Sequence, residues 1–151
     1  MKLLGIDWGT QHIGVAMSDH EGLMAFPLKI VPAEPQAVLF TLLNDTIRDE
    51  GVGAVVVGVP VGTEREAQAR EFILKFSQQV HIPVHEHDES RSTKYVQHMA
   101  HGDKKSRAIR GNAKKAFTTL RDAFSAALIL QAFIDSKNSY SPNVALKGAK
   151  E

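Results

Sequence analysis

Five consecutive residues near the middle of the chain, Ala54-Val55-Val56-Val57-Gly58, carry no polar side chain. A short apolar run without alternation is buried on both faces, which is the condition of a central strand in a parallel sheet. Parallel strands are joined by crossovers, so helices should flank this run. On its N-terminal side, Pro35 suits the first turn of a helix whose positions Val38, Leu42, Leu43 and Ile47 share one face, and Gly51 ends it. On its C-terminal side, Ala69, Phe72, Ile73, Phe76 and Val80 form a second helical stripe, and Ile82 to His87 can form the next strand. A βαβ unit results.

Ahead of this unit the pattern is different. Leu3, Leu4 and Ile6 suggest a first strand, the turn Trp8-Gly9-Thr10-Gln11 leads into a second over Ile13 to Met17, and Gly22 permits a hairpin. The third strand, Leu23 to Ile30, contains Pro27, which fits best at a sheet edge or a bulge. Behind the unit, Ser92 to Ala100 suggests a short helix. A last helix from Phe117 to about Asp135 is apolar nearly all round between Ala123 and Leu130, so it should be buried against the sheet. The order β-β-β-α-β-α-β-α-α predicts an α/β fold, a mixed five-stranded sheet with helices on both faces, in the ribonuclease H-like arrangement. The expected domain covers residues 1–136, and residues 137–151, which mix Lys, Ser, Asn, Pro and Gly without period, are expected to form a flexible C-terminal tail.

A length of 151 residues suits one domain, and no apolar run approaches the roughly 18 residues of a membrane helix. The N-terminus meets Asp7 too early for a signal peptide, so a cytoplasmic protein without membrane contact is expected. With no cysteine, thiol nucleophiles, disulfides and thiolate zinc sites are excluded, and carboxylates, histidines and hydroxyls must carry any chemistry. The net charge is only +1, yet its distribution is uneven. Six acidic residues face three arginines between Asp45 and Glu71, whereas seven basic residues (Lys104, Lys105, Arg107, Arg110, Lys114, Lys115, Arg121) face Asp103 alone between Gly102 and Arg121. Such a block attracts polyanions, above all nucleic acid; its other reading is a solvated loop and helix face.

Three acidic sites stand where a carboxylate is costly. Asp7 ends an apolar strand, Asp88 and Glu89 end another, and Asp122 stands at the expected entrance to the last helix, with no further charge until Asp135. Ligands of such sheets meet the carboxyl ends of the strands. If the first strand and the strand over 82 to 87 are neighbours and the last helix crosses them, Asp7, Glu89 and Asp122 converge. Converging carboxylates repel and resist desolvation unless a cation compensates, and oxygen-only donors favour Mg2+ or Mn2+. Two such ions would activate a water and stabilise the leaving oxygen of a phosphodiester. Taken singly, Asp7 could close an Asx-turn, Asp122 could cap a helix and Glu89 could be a surface residue. His85 and His87 alternate on one strand face and, with Glu89, sketch a transition-metal site without an evident third nitrogen ligand. His87 could instead orient a carboxylate or carry a proton. Ser92 and Thr93 suit helix capping, and no spacing suggests a serine triad.

The run Gly5-Ile6-Asp7-Trp8-Gly9-Thr10-Gln11-His12-Ile13-Gly14-Val15-Ala16-Met17-Ser18-Asp19 resembles the opening of the YqgF/RuvX family. Val56-Val57-Gly58-Val59-Pro60-Val61, His87-Asp88-Glu89-Ser90-Arg91-Ser92-Thr93 and Asp122 to Gln131 resemble three further family motifs, in order. The resemblance implies a ribonuclease H-like endonuclease, described both as maturing the 5′ end of pre-16S rRNA and as a Holliday junction resolvase. It places Asp7, Glu89 and Asp122 on the family's catalytic acids and implies that all three ligate a divalent metal, Mg2+ or Mn2+. Structured RNA or branched DNA would be the partner of a monomer or weak homodimer, with Lys104, Lys105, Arg107, Arg110, Lys114, Lys115 and Arg91 as expected nucleic-acid contacts. The chain departs from the family at four points: His12 and Ser90 replace arginines, the loop after Pro60 shortens to Gly62-Thr63-Glu64-Arg65, and Glu86 takes an apolar position. Phosphate clamping is therefore expected to be weaker or rearranged.

Two other readings compete. Ile6 to Thr10 also resembles the first phosphate loop of sugar kinases and actin-like ATPases, but 151 residues leave no room for the second lobe those need. A nucleic-acid-binding domain without chemistry would use the same basic block. The aromatic residues Trp8, Tyr95 and Tyr140 are scattered and form no stacking platform, so RNA and DNA junction stay open as substrates.

Overall fold

The computed structural model describes residues 1–89 and 113–138, the stretch 113–120 as helical backbone. Its elements run β1 (Leu3–Asp7), β2 (His12–Ser18), β3 (Ala25–Pro32), α1 (Gln36–Glu50), β4 (Ala54–Val59), α2 (Glu66–Ser77), β5 (Val84–Asp88) and α3 (Ala113–Asn138). The strands form one sheet in the order β3-β2-β1-β4-β5. β1, β2 and β3 pair antiparallel, and β1, β4 and β5 pair parallel. The apolar run is indeed flanked on both sides, and every residue of β4 is buried. Alternation then divides its side chains between the two faces.

Val55, Val57 and Val59 join Leu4, Ile6, Ile13 and Val15 under α1 and α2. There Phe40, Phe72 and Phe76 bring their ring centroids within 5.6 to 5.9 Å of one another. Ala54 and Val56 look the other way, with Leu3 and Ala16, into a smaller core sealed by Ala126, Ala127, Ile129, Leu130 and Ile134 of α3. Among the described residues helices thus cover both faces, two on one side and one on the other. Among the described residues no helix is long and apolar enough to cross a membrane.

Pro27 satisfies both conditions set by its chemistry. β3 is the outer strand, and its pairing with β2 slips between Val15 and Ala16, where Ala16 faces Pro27. The strand starts at Ala25 rather than Leu23, because the Asp19 carboxylate accepts the backbone N–H groups of Leu23 at 2.7 Å and Met24 at 3.2 Å and holds them in the turn. Gly22 supplies the left-handed residue of that turn, at φ 71°.

Four expectations need correction. α1 buries Leu39, Phe40, Leu43 and Thr46, while Val38 is 52% exposed, so the helix is rotated from the face drawn through its aliphatic residues. Phe40 turns inward to meet the α2 rings, and the Thr46 hydroxyl is satisfied there, donating to Leu42 O at 2.9 Å and accepting from Lys29 Nζ at 2.7 Å. The strand carrying His85 and His87 begins two residues late, at Val84. β5 is not beside β1, since β4 lies between them. Finally, α3 begins at Ala113, so Asp122 is no N-cap; it stands inside the helix, just before the buried stretch that starts at Ala123. The helix expected over 92–100 lies outside the described residues, as does the expected tail from 139 on, while its first two residues, Lys137 and Asn138, continue α3.

Candidate active site

Asp7 is the last residue of β1, and its lateral neighbours in the sheet are both glycines, Gly14 on β2 and Gly58 on β4. Their missing side chains position the site. A Cβ on Gly14 would lie 1.9 Å from the backbone oxygen of Asp122, so α3 rests directly on that strand. A Cβ on Gly58 would lie 3.0 Å from both Cγ and Oε1 of Glu89 and 2.5 Å from Ile129 Cδ1, so the Glu89 side chain reaches across β4 through the space the glycine leaves. Gly5, two residues before Asp7 on the same face, is overlain by Ala126 O and Leu130 Cβ at 3.0 and 2.8 Å. Asp7 therefore stands between Glu89 on one side and Asp122 on the other, although β1 and β5 are not adjacent.

The electrostatics follow from that placement. Burial is the main cause that pushes the Asp7 carboxyl up to about 8, followed by the charge of Glu89, a side-chain hydrogen bond with Glu89 and the charge of Asp122. Arg65 opposes these from the other direction. Two carboxyl groups can hydrogen-bond only if one of them carries a proton to donate. The three acids line one cleft of about 380 Å3 with His12, Arg65, Arg121 and Ser125 on its walls. Among the described residues no three His, Asp or Glu side chains stand close enough to grip one ion as arranged. Asp122 would have to close on the Asp7–Glu89 pair to complete such a set.

His85 and His87 do share a face, the one covered by α3. Their rings lie 5.5 and 6.2 Å from that of Phe133, the first stacked on it and the second edge-on. His12 is exposed at the rim of the cleft. Arg91, Lys104, Lys105, Arg107 and Arg110 lie outside the described residues, and Lys114 and Lys115 fall in the first turn of α3. Arg65 was not foreseen as a site residue: the sequence placed it only in an acidic stretch and at the end of the shortened loop, and that loop was the available signal. Arg121 counted only toward the basic block.

The family model described as RuvX, Holliday junction resolvase, matches residues 1–136. The chain belongs to this family. It is 33% identical over 144 residues to a protein of Nitratidesulfovibrio vulgaris (strain DSM 19637 / Miyazaki F) named "Putative pre-16S rRNA nuclease", across 92% of this chain and 96% of that protein. A protein of the same name from Geobacillus kaustophilus (strain HTA426) is 34% identical over 145 residues, across 91% of this chain and 99% of its own length. Among solved structures, T. thermophilus RuvC in complex with Holliday junction substrate superimposes with a TM-score of 0.55 at 17% identity, covering 91% of this chain and 95% of that one. The RuvX-family chain thus has the α/β ribonuclease H-like fold, a mixed five-stranded sheet with helices on both faces.

Proposed function

We propose that this RuvX-family protein is a metal-dependent endonuclease that hydrolyses phosphodiester bonds in the cleft around Asp7, and that it matures the 5′ end of pre-16S rRNA in the cytoplasm. The observation that carries the reading is Asp7 held between Glu89 and Asp122 over two glycines. An all-oxygen donor set, with the Asp7 carboxyl pushed up by burial and by its acidic neighbours, suits a hard divalent cation. Asp7, Glu89 and Asp122 would hold Mg2+ or Mn2+, which when bound supplies water activation and charge neutralisation at the scissile phosphate. The chain's own residues do the rest. Asp7, whose carboxyl is pushed up to about 8, would have to lose its proton to ligate a cation, and Glu89, immediately after β5, would move a proton during the cut. All three acids belong to one chain, so a single copy suffices to cut one strand. The substrate choice rests on the names of the relatives; the description of the family model favours a second reading, a four-way DNA junction.

Incubation of wild type and Asp7→Asn with a labelled pre-16S 5′ fragment and a labelled four-way junction, in Mg2+ and in Mn2+, tests this. The wild type should cut the RNA, and Asp7→Asn should bind it but lose on the order of 100-fold or more in rate. Cutting of the junction alone would transfer the activity to DNA. Binding without any cut in either metal would leave a nucleic-acid-binding domain and end the nuclease reading.

A further inference from the structure

We infer that Arg65 and Arg121 form a phosphate clamp, two guanidinium groups from different elements that grip the non-bridging oxygens of the backbone phosphate lying over Asp7. The inference rests on the nuclease reading above and gives a role to two residues of the cleft, Arg65 and Arg121, that this reading leaves without one.

The loop between β4 and α2 delivers the first group. Gly62 takes a left-handed conformation at φ 82°, and Thr63 folds back, its N–H and its hydroxyl donating to Pro60 O at 3.2 and 2.7 Å. The Arg65 N–H donates to Thr63 Oγ1 at 3.3 Å, and Arg65 O accepts from Ala69 N at 3.0 Å, so the backbone of this arginine is fixed at both ends. Its side chain caps nothing and instead lines the cleft that holds Asp7, Glu89 and Asp122. α3 delivers the second group, because Arg121 immediately precedes Asp122 and lines the same cleft while exposed.

Other described arginines behave differently. Arg48 bridges Asp45 and Asp49 at 3.2 Å, and Arg70 bridges Glu66 and Glu86. Neither Arg65 nor Arg121 makes a salt bridge among the described residues, although three carboxylates line the cleft with them. A guanidinium that sits beside acids without closing on them keeps its donors for an incoming anion, and its planar fork matches two phosphate oxygens at once. Arg65 also sits close enough to Asp7 to oppose the rise in its pKa, which agrees with a position over the acids. A phosphodiester that enters the cleft would thus meet guanidinium groups from two elements beside the acid cluster.

The test uses the full chain and a labelled RNA spanning the pre-16S 5′ end, with binding measured by filter retention in Ca2+ at several salt concentrations and cleavage in Mg2+. Arg65→Gln and Arg121→Gln should each weaken binding about tenfold and reduce the salt slope by about 0.7, the share of one phosphate contact on a single strand. Arg65→Lys should keep the slope and yet cut slowly, since a point charge replaces the fork. Arg48→Gln, a substitution on the exposed face of α1, should change neither. The clamp is wrong if a wild type that binds and cuts is matched by Arg65→Gln and Arg121→Gln in slope and in kcat/KM. It is equally wrong if Arg48→Gln loses as much, because the effect would then be diffuse charge. A wild type that binds and cuts neither this RNA nor a four-way junction overturns the nuclease reading itself, and the clamp with it.

Discussion

Asp7 is held in a state that only a proton or a cation relieves. With its carboxyl pushed from an ordinary 3.8 up to about 8, the folded protein keeps a proton that the unfolded chain releases near pH 4. Stability from this group is therefore complete below the ordinary value and is lost as pH climbs through the window toward 8. Metal-free protein should show a Tm that falls by about 5 °C or more between roughly pH 5 and pH 8, whereas Asp7→Asn should lack that fall. Mn2+ should raise the wild-type Tm more at the alkaline end, where it replaces a proton that is leaving. Scanning calorimetry of both proteins with and without Mn2+ checks this, and parallel profiles for the two would refute it. The same residue marks how far sequence reasoning reaches. That Asp7, Glu89 and Asp122 gather in one cleft was legible because a carboxylate at a strand end or just ahead of a buried helical stretch is costly to place. Arg65 was not, because an exposed arginine costs nothing in any context and only the folded loop reveals what it faces.

At the level of elements, the strands carry the site by what they omit. Gly14 and Gly58 flank Asp7, and the two differ in what a methyl group would strike. In Gly14→Ala the new Cβ meets backbone of α3 at 1.9 Å, so the helix itself must lift, at a cost of about 1–3 kcal/mol or more and with loss of cleavage. In Gly58→Ala the nearest atoms are the ends of Ile129 and Glu89, which can swing aside. Stability should then fall by less than about 1 kcal/mol while cleavage drops severely, because Glu89 is displaced. Urea unfolding beside cleavage rates separates the two; equal losses of stability would contradict the packing described. β4, α2 and the Pro27 edge were legible because each has a period or a steric rule of its own. The facing of α1 was not: a stripe drawn from aliphatic residues passes over Phe40 and Thr46, whose burial depends on α2 and on Lys29. The neighbour of β1 was hidden for a similar reason, since parallel order is decided by crossovers that no local pattern records.

For the whole molecule, charge is the property that reaches beyond the cleft. The acids gather at one end of the sheet, where α3 crosses β1 and the Glu89 side chain reaches over β4, and the block from Gly102 to Arg121 runs in sequence directly up to Asp122. Neutralising Lys104, Lys105 and Arg107 together should weaken RNA binding at low salt and reduce the salt slope by about 2, while the Tm gained from Mn2+ stays as in the wild type. Filter binding and thermal unfolding on one preparation check both halves, and an unchanged slope would remove the block from the substrate path. Fold class was readable at this scale because element order alone restricts the topology; substrate choice was not, because RNA and branched DNA present the same phosphates. One consequence concerns α3. A single rod closes the smaller of the two cores and also carries Asp122, so the machine has no slack between its architecture and its chemistry: heat or denaturant that loosens this rod by an ångström should silence turnover well before the sheet beneath it comes apart.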